Sequence, residues 1–147
     1  MLQKVNQIDS WISEIVKDDP VRPEIPIEFR INKAAEIYAL WTNQELAAVT
    51  CVSYTQGIPG SVDEMIDQCS LEPDSVIFYT IWSYSKGAGR ELINQASDEI
   101  RKEKTSIKNI VTLSPKSEMA EKFHIRNGAW KHRENKDTIN YAYQLEK

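Results

Sequence analysis

Cysteine is scarce in this chain, with only Cys51 and Cys69 among 147 residues. Neither has a Cys or His neighbour at zinc-ligand spacing, so both read as buried or incidental thiols and no metal site is expected. Histidine is equally rare, represented by His124 and His132 alone. No apolar run approaches the roughly 20 residues needed to cross a bilayer. The first residues also lack the basic-then-apolar order of a secretion signal, which makes the cytoplasm the expected location and a membrane an unexpected partner. A basic excess is missing too: 18 Lys and Arg stand against 22 Asp and Glu, a net charge of -4. That balance argues against nucleic acid as a partner and leaves room for a small anion held by a local cluster of donors.

What the chain does have is the composition of an ordinary globular domain, 41% hydrophobic and 27% charged, at a length suited to one core. Periodicity orders it. Trp11, Ile12, Ile15 and Val16 fall on one face of a helix over residues 10–17, with Asp9 or Ser10 as N-cap, and Pro20 to Pro26 space an extended connector. Residues 27–31 alternate as an edge strand or loop. Residues 37–41 and 46–54 read as a hairpin joined by a polar turn at 42–45. Ser61 caps a short helix to about Cys69 with Met65 and Ile66 inward, and residues 75–82, apolar on both faces, form a central strand. A helix over 91–104, a strand over 110–113, a helix over 116–123 and an antiparallel pair, 129–133 with 139–144, complete the order.

Between the central strand and the long helix lies Ser83-Tyr-Ser-Lys-Gly-Ala-Gly-Arg90. Gly87 and Gly89 permit positive φ and close approach of a ligand, and the helix behind them offers free N–H groups to an anion. Lys86 and Arg90 add cationic donors. A Walker loop is excluded, because no Gly-Lys-Ser/Thr follows, and so is the full dinucleotide spacing, because residue 92 is Leu. The C-terminal third gathers a hydroxyl, an imidazole and a phenol: Ser114, His124 and Tyr143. From the residues alone, His124 is either a structural histidine before a turn or a chemical group. Ser114-Pro115 either caps the next helix or serves a site. Asn127-Gly128 reads as a helix-ending turn, with Gly128 left-handed.

The glycine loop after a central strand resembles the GCN5-related N-acetyltransferase (GNAT) superfamily, with Tyr84 standing where Gln or Arg is usual. Leu113-Ser-Pro115, residues 120–129, Arg133, Asn135, Asp137 and Asn140-Tyr-Ala-Tyr143 resemble the catalytic domain of malonyl-CoA decarboxylase, a divergent branch of that superfamily. The likeness spans about residues 37–143. It implies an α/β fold with a mixed, mostly antiparallel central sheet flanked by helices. Residues 1–147 would form one GNAT-like domain, 1–30 its N-terminal helix and connector and 31–147 its acyl-CoA-binding core.

The resemblance further implies His124 and Ser114 as catalytic residues, Lys86, Gly87, Ala88, Gly89 and Arg90 as the coenzyme A loop, and Thr80, Tyr143 and Asn127 in the substrate pocket. A pocket serine of the family appears here as Thr80. A pocket glutamate has no counterpart, Gly87 lying nearest. Losing CO2 from a malonyl thioester leaves an enolate, which needs a stabilised oxyanion and a proton donor; an imidazole suits the second task. No cofactor beyond the coenzyme A thioester substrate is implied. Three functions are consistent with this pattern: conversion of malonyl-CoA to acetyl-CoA with His124 as proton donor, acetyl transfer from acetyl-CoA to an amine, and non-catalytic acyl-CoA binding. The terminal strand pair leaves an edge at which a homodimer could form.

Overall fold

The computed structural model describes residues 1–146. Its strands are β1 Leu2–Val5, β2 Ala35–Thr42, β3 Glu45–Thr55, β4 Ser75–Ser83, β5 Asn109–Thr112, β6 Ser114–Pro115, β7 Trp130–Glu134 and β8 Thr138–Gln144. Its helices are α1 Ser10–Ile15, continued by a tight turn over Val16–Asp18, α2 Ile27–Arg30, α3 Val62–Asp67, α4 Ala88–Glu103 and α5 Glu118–Arg126. The strands make one sheet in the order β1-β2-β3-β4-β5-β8-β6, with β7 paired to β8. β4 and β5 run parallel, and every other pairing is antiparallel.

Alternation along β2 shows why the sheet is covered on both sides. Ile37 and Ala39 join the cluster containing Ile12 of α1 and Ile25 of the connector. Tyr38 and Leu40 point the other way, onto Leu92, Ile93, Ala96 and Ile100 of α4. β4 is buried over most of its length, as its apolar run requires. The β2–β3 hairpin turns on Asn43 and Gln44, both at positive φ, which polar residues tolerate better than branched ones.

β1 precedes the N-terminal helix and pairs with β2, an element with no counterpart in the expected order. Four local expectations are corrected further along the chain. Residues 27–30 are a helical turn, because Arg30 is drawn wholly inward while Phe29 stays exposed. Ile66 is exposed, since α3 is too short to bury two adjacent side chains and Met65 takes the inward position. Ser117, not Ser114, caps α5 by accepting from the Ala120 N–H at 3.2 Å. That helix runs three residues past Phe123, which places His124 on it, and Gly128 then leaves it at φ 96°.

Two features of β4 shape the functional region. Its register with β3 slips between Cys51 and Val52, leaving Tyr79 as an unpaired bulge residue. Its ladder with β5 ends at Phe78 and Thr112. Beyond that point the parallel strands part, and the gap is entered from one side by the connector and from the other by α5.

Candidate functional site

The gap between β4 and β5 is a cleft of about 120 Å³ lined by Thr80 and Ile81 of β4, Ser114 and Pro115 of β6, Val21 of the connector, and His124 of α5. It continues past Val21, Ile81 and Met119 into a cavity of about 320 Å³ against Trp82, Gly89 and Phe123. Past Ser83, Gly89 and Phe123 comes a third, of about 460 Å³, ringed by Lys86, Arg90, Arg126 and Asn127. Shared walls make the three a continuous trough from His124 to the glycine loop. Among the described residues no carboxylate lines the third cavity, so three cations face it in a chain that is acidic overall.

Gly87 is the N-cap of α4 at φ 81°, a left-handed conformation that favours glycine. Ala88 N–H is used by Ser85 O, and Glu91 N–H by Gly87 O. The N–H groups of Gly89 and Arg90 find no partner among the described residues, as expected for the first turn of a helix, and are available to an anion. Lys86 and Arg90 are exposed beside them. Tyr84 fixes the loop by donating to Asp18 Oδ2 at 2.7 Å while accepting from Trp82 Nε1 at 3.0 Å.

Gly89 serves a second purpose. A Cβ there would stand 3.3 Å from two ring atoms of Phe123, a tight contact that the ring could relieve only by moving a few tenths of an ångström. Gly89→Val should cost about 1–3 kcal/mol through overpacking. It should also narrow the trough on both sides of Phe123; urea denaturation and a coenzyme A titration check the two effects.

His124 is buried, with 5% of its surface exposed. Its ring stacks on Tyr141 at 5.1 Å, meets Phe123 edge-on at 5.0 Å, and places Nδ1 2.8 Å from Tyr143 Oη. Asn127 Nδ2 donates to the same phenol oxygen at 3.3 Å, leaving the phenol proton for His124 Nδ1. The tautomer that fits this arrangement carries its proton on Nε2, which makes no hydrogen bond among the described residues. Burial pushes His124 down to about 4, so the ring is neutral at pH 7. Burial pushes Tyr143 up to about 12 despite the bond from Asn127, so the phenol keeps its proton.

This depression has a consequence for stability. Unfolded, the histidine titrates near 6.5. Between that value and about 4 the unfolded chain binds the proton more readily, so stability falls as pH drops through the window. The loss amounts to about 3 kcal/mol at 1.36 kcal/mol per pH unit. His124→Gln should flatten that segment of the stability curve, as measured by denaturant unfolding from pH 7 to pH 4.

The other residues singled out by sequence divide between the cleft and its surroundings. Ser114 is in the cleft wall, but its hydroxyl donates to Thr112 Oγ1 at 2.8 Å and not to His124. Thr112, the last residue of β5, captures it. Thr80 is in the wall and donates to Asp19 Oδ1 at 2.7 Å. Tyr143 stands behind the imidazole, and Asn127, the residue capping α5, lines the glycine-loop cavity rather than the cleft. His132 is exposed on β7.

Sequence reasoning missed Asp19, Arg22 and Arg30. Asp19 and Arg30 form a buried ion pair at 2.8 Å, and Asp19 Oδ1 also accepts from the N–H groups of Val21 and Arg22. Burial pushes the Asp19 carboxyl up, but bonds from Arg22 N–H, Arg30, Thr80 and Val21 N–H outweigh it and hold it below its ordinary value. These bonds seat Val21 in the cleft wall. The available signal was a pair of opposite charges, Asp19 and Arg30, bracketing a proline-spaced connector.

A bulged central strand that parts from a parallel neighbour, followed by a glycine loop and a long helix, defines a GNAT-like acyltransferase fold, and similar solved structures support that assignment. Malonyl-CoA decarboxylase from Rhodopseudomonas palustris superposes with a TM-score of 0.77 over 99% of this chain and 60% of its own length, at 17% identity. The Agrobacterium vitis enzyme of the same name gives 0.69 over 87% of this chain and 36% of its own length, at 22% identity. A Bacillus subtilis acetyltransferase in complex with CoA gives 0.61 over 98% of this chain and 97% of its own, at 16% identity. This chain therefore spans 60% of the length of the first decarboxylase and 36% of the second. No protein-family model and no curated protein matches the sequence.

Proposed function

We propose that this chain binds an acyl-CoA along the trough and decarboxylates malonyl-CoA to acetyl-CoA and CO2. The observation that carries this reading is the position of His124: a buried, neutral imidazole with Nδ1 held by Tyr143 and Nε2 free, in the cleft where β4 and β5 part. The diphosphate would lie on the free N–H groups of Gly89 and Arg90 with Lys86 beside it, and Gly87 and Ala88 would shape the turn. The pantetheine arm would follow the β4 side of the trough, bringing the acyl group to Thr80, Ser114 and His124.

In the reaction, the bond from C2 to the carboxylate breaks, CO2 leaves, and the electron pair becomes the enolate of acetyl-CoA. His124 Nε2–H delivers a proton to C2, and Tyr143 passes its own to Nδ1, so the imidazole ends neutral and solvent restores the phenol. Ser114 borders the acyl group as a polar wall. The similarity in fold to malonyl-CoA decarboxylases supports this reading, as does the sequence resemblance that singled out Ser114, His124 and Tyr143.

Incubation with malonyl-CoA, and separately with acetyl-CoA plus a mixture of amines, tests it when the thioesters are followed by mass spectrometry. Acetyl-CoA formed from malonyl-CoA is the expected result. Free CoA released only in the presence of amines would replace this reading with acetyl transfer, and binding without turnover would replace it with an acyl-CoA-binding module.

A further inference from the structure

His124, in the last turn of α5, and Asn127, the residue capping that helix, converge on one phenol of β8. Their spacing of three residues makes them neighbours on the helix surface. Tyr143 Oη lies 2.8 Å from His124 Nδ1 and accepts from Asn127 Nδ2 at 3.3 Å, and among the described residues it has no other partner. A phenol has one proton to give, and an amide nitrogen cannot accept it. The proton therefore goes to Nδ1, and the imidazole keeps its own on Nε2. An acceptor in place of that amide nitrogen would reverse the chain. The phenol would then donate to it, Nδ1–H would donate to Oη, and Nε2 would be bare. The first arrangement offers a proton to the cleft; the second takes one from it.

The backbone holds Asn127 where this choice is made. Its N–H donates to the Phe123 carbonyl at 3.0 Å, and Gly128 turns the chain away immediately afterwards at φ 96°. Its Oδ1 is buried with no partner among the described residues. A buried polar atom left unpaired calls for a reason, and the amide's one side-chain bond, to Tyr143, supplies it. No charged group competes for the ring: burial is the single cause that moves His124 from its ordinary value.

We propose that Asn127 is a positioning residue that sets the tautomer of His124 through Tyr143, and so makes the imidazole an acid rather than a base toward the cleft. The proposal rests on the decarboxylase reading above for its effect on rate, but not for its effect on the ring. Asn127 transfers no proton. When Tyr143 passes its proton to Nδ1, the amide N–H stays on the phenol oxygen and stabilises the negative charge left there. Asn127 also lines the glycine-loop cavity, so one side chain joins the wall of that cavity to the group that holds the imidazole.

Heteronuclear NMR of the imidazole nitrogens, on ligand-free protein at neutral pH, reads the tautomer directly. Only two histidines contribute, and the signals of exposed His132 are assigned by their loss in His132→Gln. Wild-type His124 should show a protonated Nε2 and a bare Nδ1. Asn127→Asp sets an acceptor beside the phenol and should move the proton onto Nδ1. At saturating malonyl-CoA its kcat should fall about 10²- to 10⁴-fold, the usual contribution of a positioned acid. The same substitution made in Tyr143→Phe, which has no phenol to relay it, should leave the tautomer of that parent unchanged. A wild-type ring with its proton on Nδ1 would overturn the proposal, and this arm needs no variant to fold. So would an Asn127→Asp ring that keeps its proton on Nε2, or a shift that persists without the phenol. A tautomer that moves as expected, in a protein whose wild type never turns over malonyl-CoA, removes the decarboxylase reading and leaves the assignment of Asn127 standing.

Discussion

His124→Ala should lower malonyl-CoA turnover by about 10²- to 10⁴-fold, the usual contribution of a positioned acid or base. Coenzyme A affinity should change little, because the diphosphate end of the trough is built from the glycine loop and shares no residue with the acyl cleft. Some stability will be lost with the activity. Removing the imidazole strips Tyr143 of the acceptor at 2.8 Å and leaves a largely dehydrated phenol, a cost of about 1–3 kcal/mol. Circular dichroism and a CoA titration on the same sample separate the two effects. A folded variant that binds CoA and has lost turnover supports the chemical role; a folded variant with undiminished turnover refutes it. The pH dependence adds an independent sign. The donor is a ring that stays neutral down to about 4, so the rate should hold through neutral pH and should not fall near 6.5.

Arg30→Met should be the most damaging single change to stability, at about 3–5 kcal/mol. Breaking a buried ion pair leaves its other half charged and uncompensated. Here that half is Asp19, with a side chain 0% exposed and with further bonds to Thr80, Val21 N–H and Arg22 N–H. The apolar double variant Asp19→Leu, Arg30→Met should recover a large part of the loss, because both charges then leave the interior together. Urea unfolding of the wild type, the single variant and the double variant measures this. A cost below about 1 kcal/mol for the single variant, typical of an exposed pair, would mean that the two groups are solvated rather than buried. The double variant should fold yet bind acyl-CoA less well, since Asp19 is what seats Val21 in the cleft wall.

How far the sequence was readable depended on whether a residue's role was local. The alternation of β2 and β3, the run of β4 and the cap of α3 express themselves within a few residues, and these elements formed where their patterns lay, whereas α4 begins at Ala88, three residues before the expected start. The turn at Gly128 also formed where its pattern lay. The match of Ser114, His124 and Tyr143 to a family pattern pointed to one region, and the structure brings Ser114 and His124 into one cleft with Tyr143 bonded to the imidazole. What could not be read was long-range. Asp19 and Thr80 are 61 residues apart and meet at 2.7 Å only because the connector folds across the parting of β4 and β5. Arg30 sits in a stretch whose alternating Ile27, Phe29 and Ile31 imitate a strand, and the demand of its buried charge for a partner overrides that pattern. Nor could the partner of the Ser114 hydroxyl be read, since it goes to Thr112 Oγ1 two residues earlier.

The most direct test of the account is the mass of the product formed from malonyl-CoA in D2O by the wild-type protein. Decarboxylation with proton delivery from a solvent-exchanged His124–Tyr143 pair predicts acetyl-CoA bearing one deuterium at its methyl carbon, produced at a rate that collapses in His124→Ala. Unchanged malonyl-CoA in the presence of folded, CoA-binding protein would contradict it.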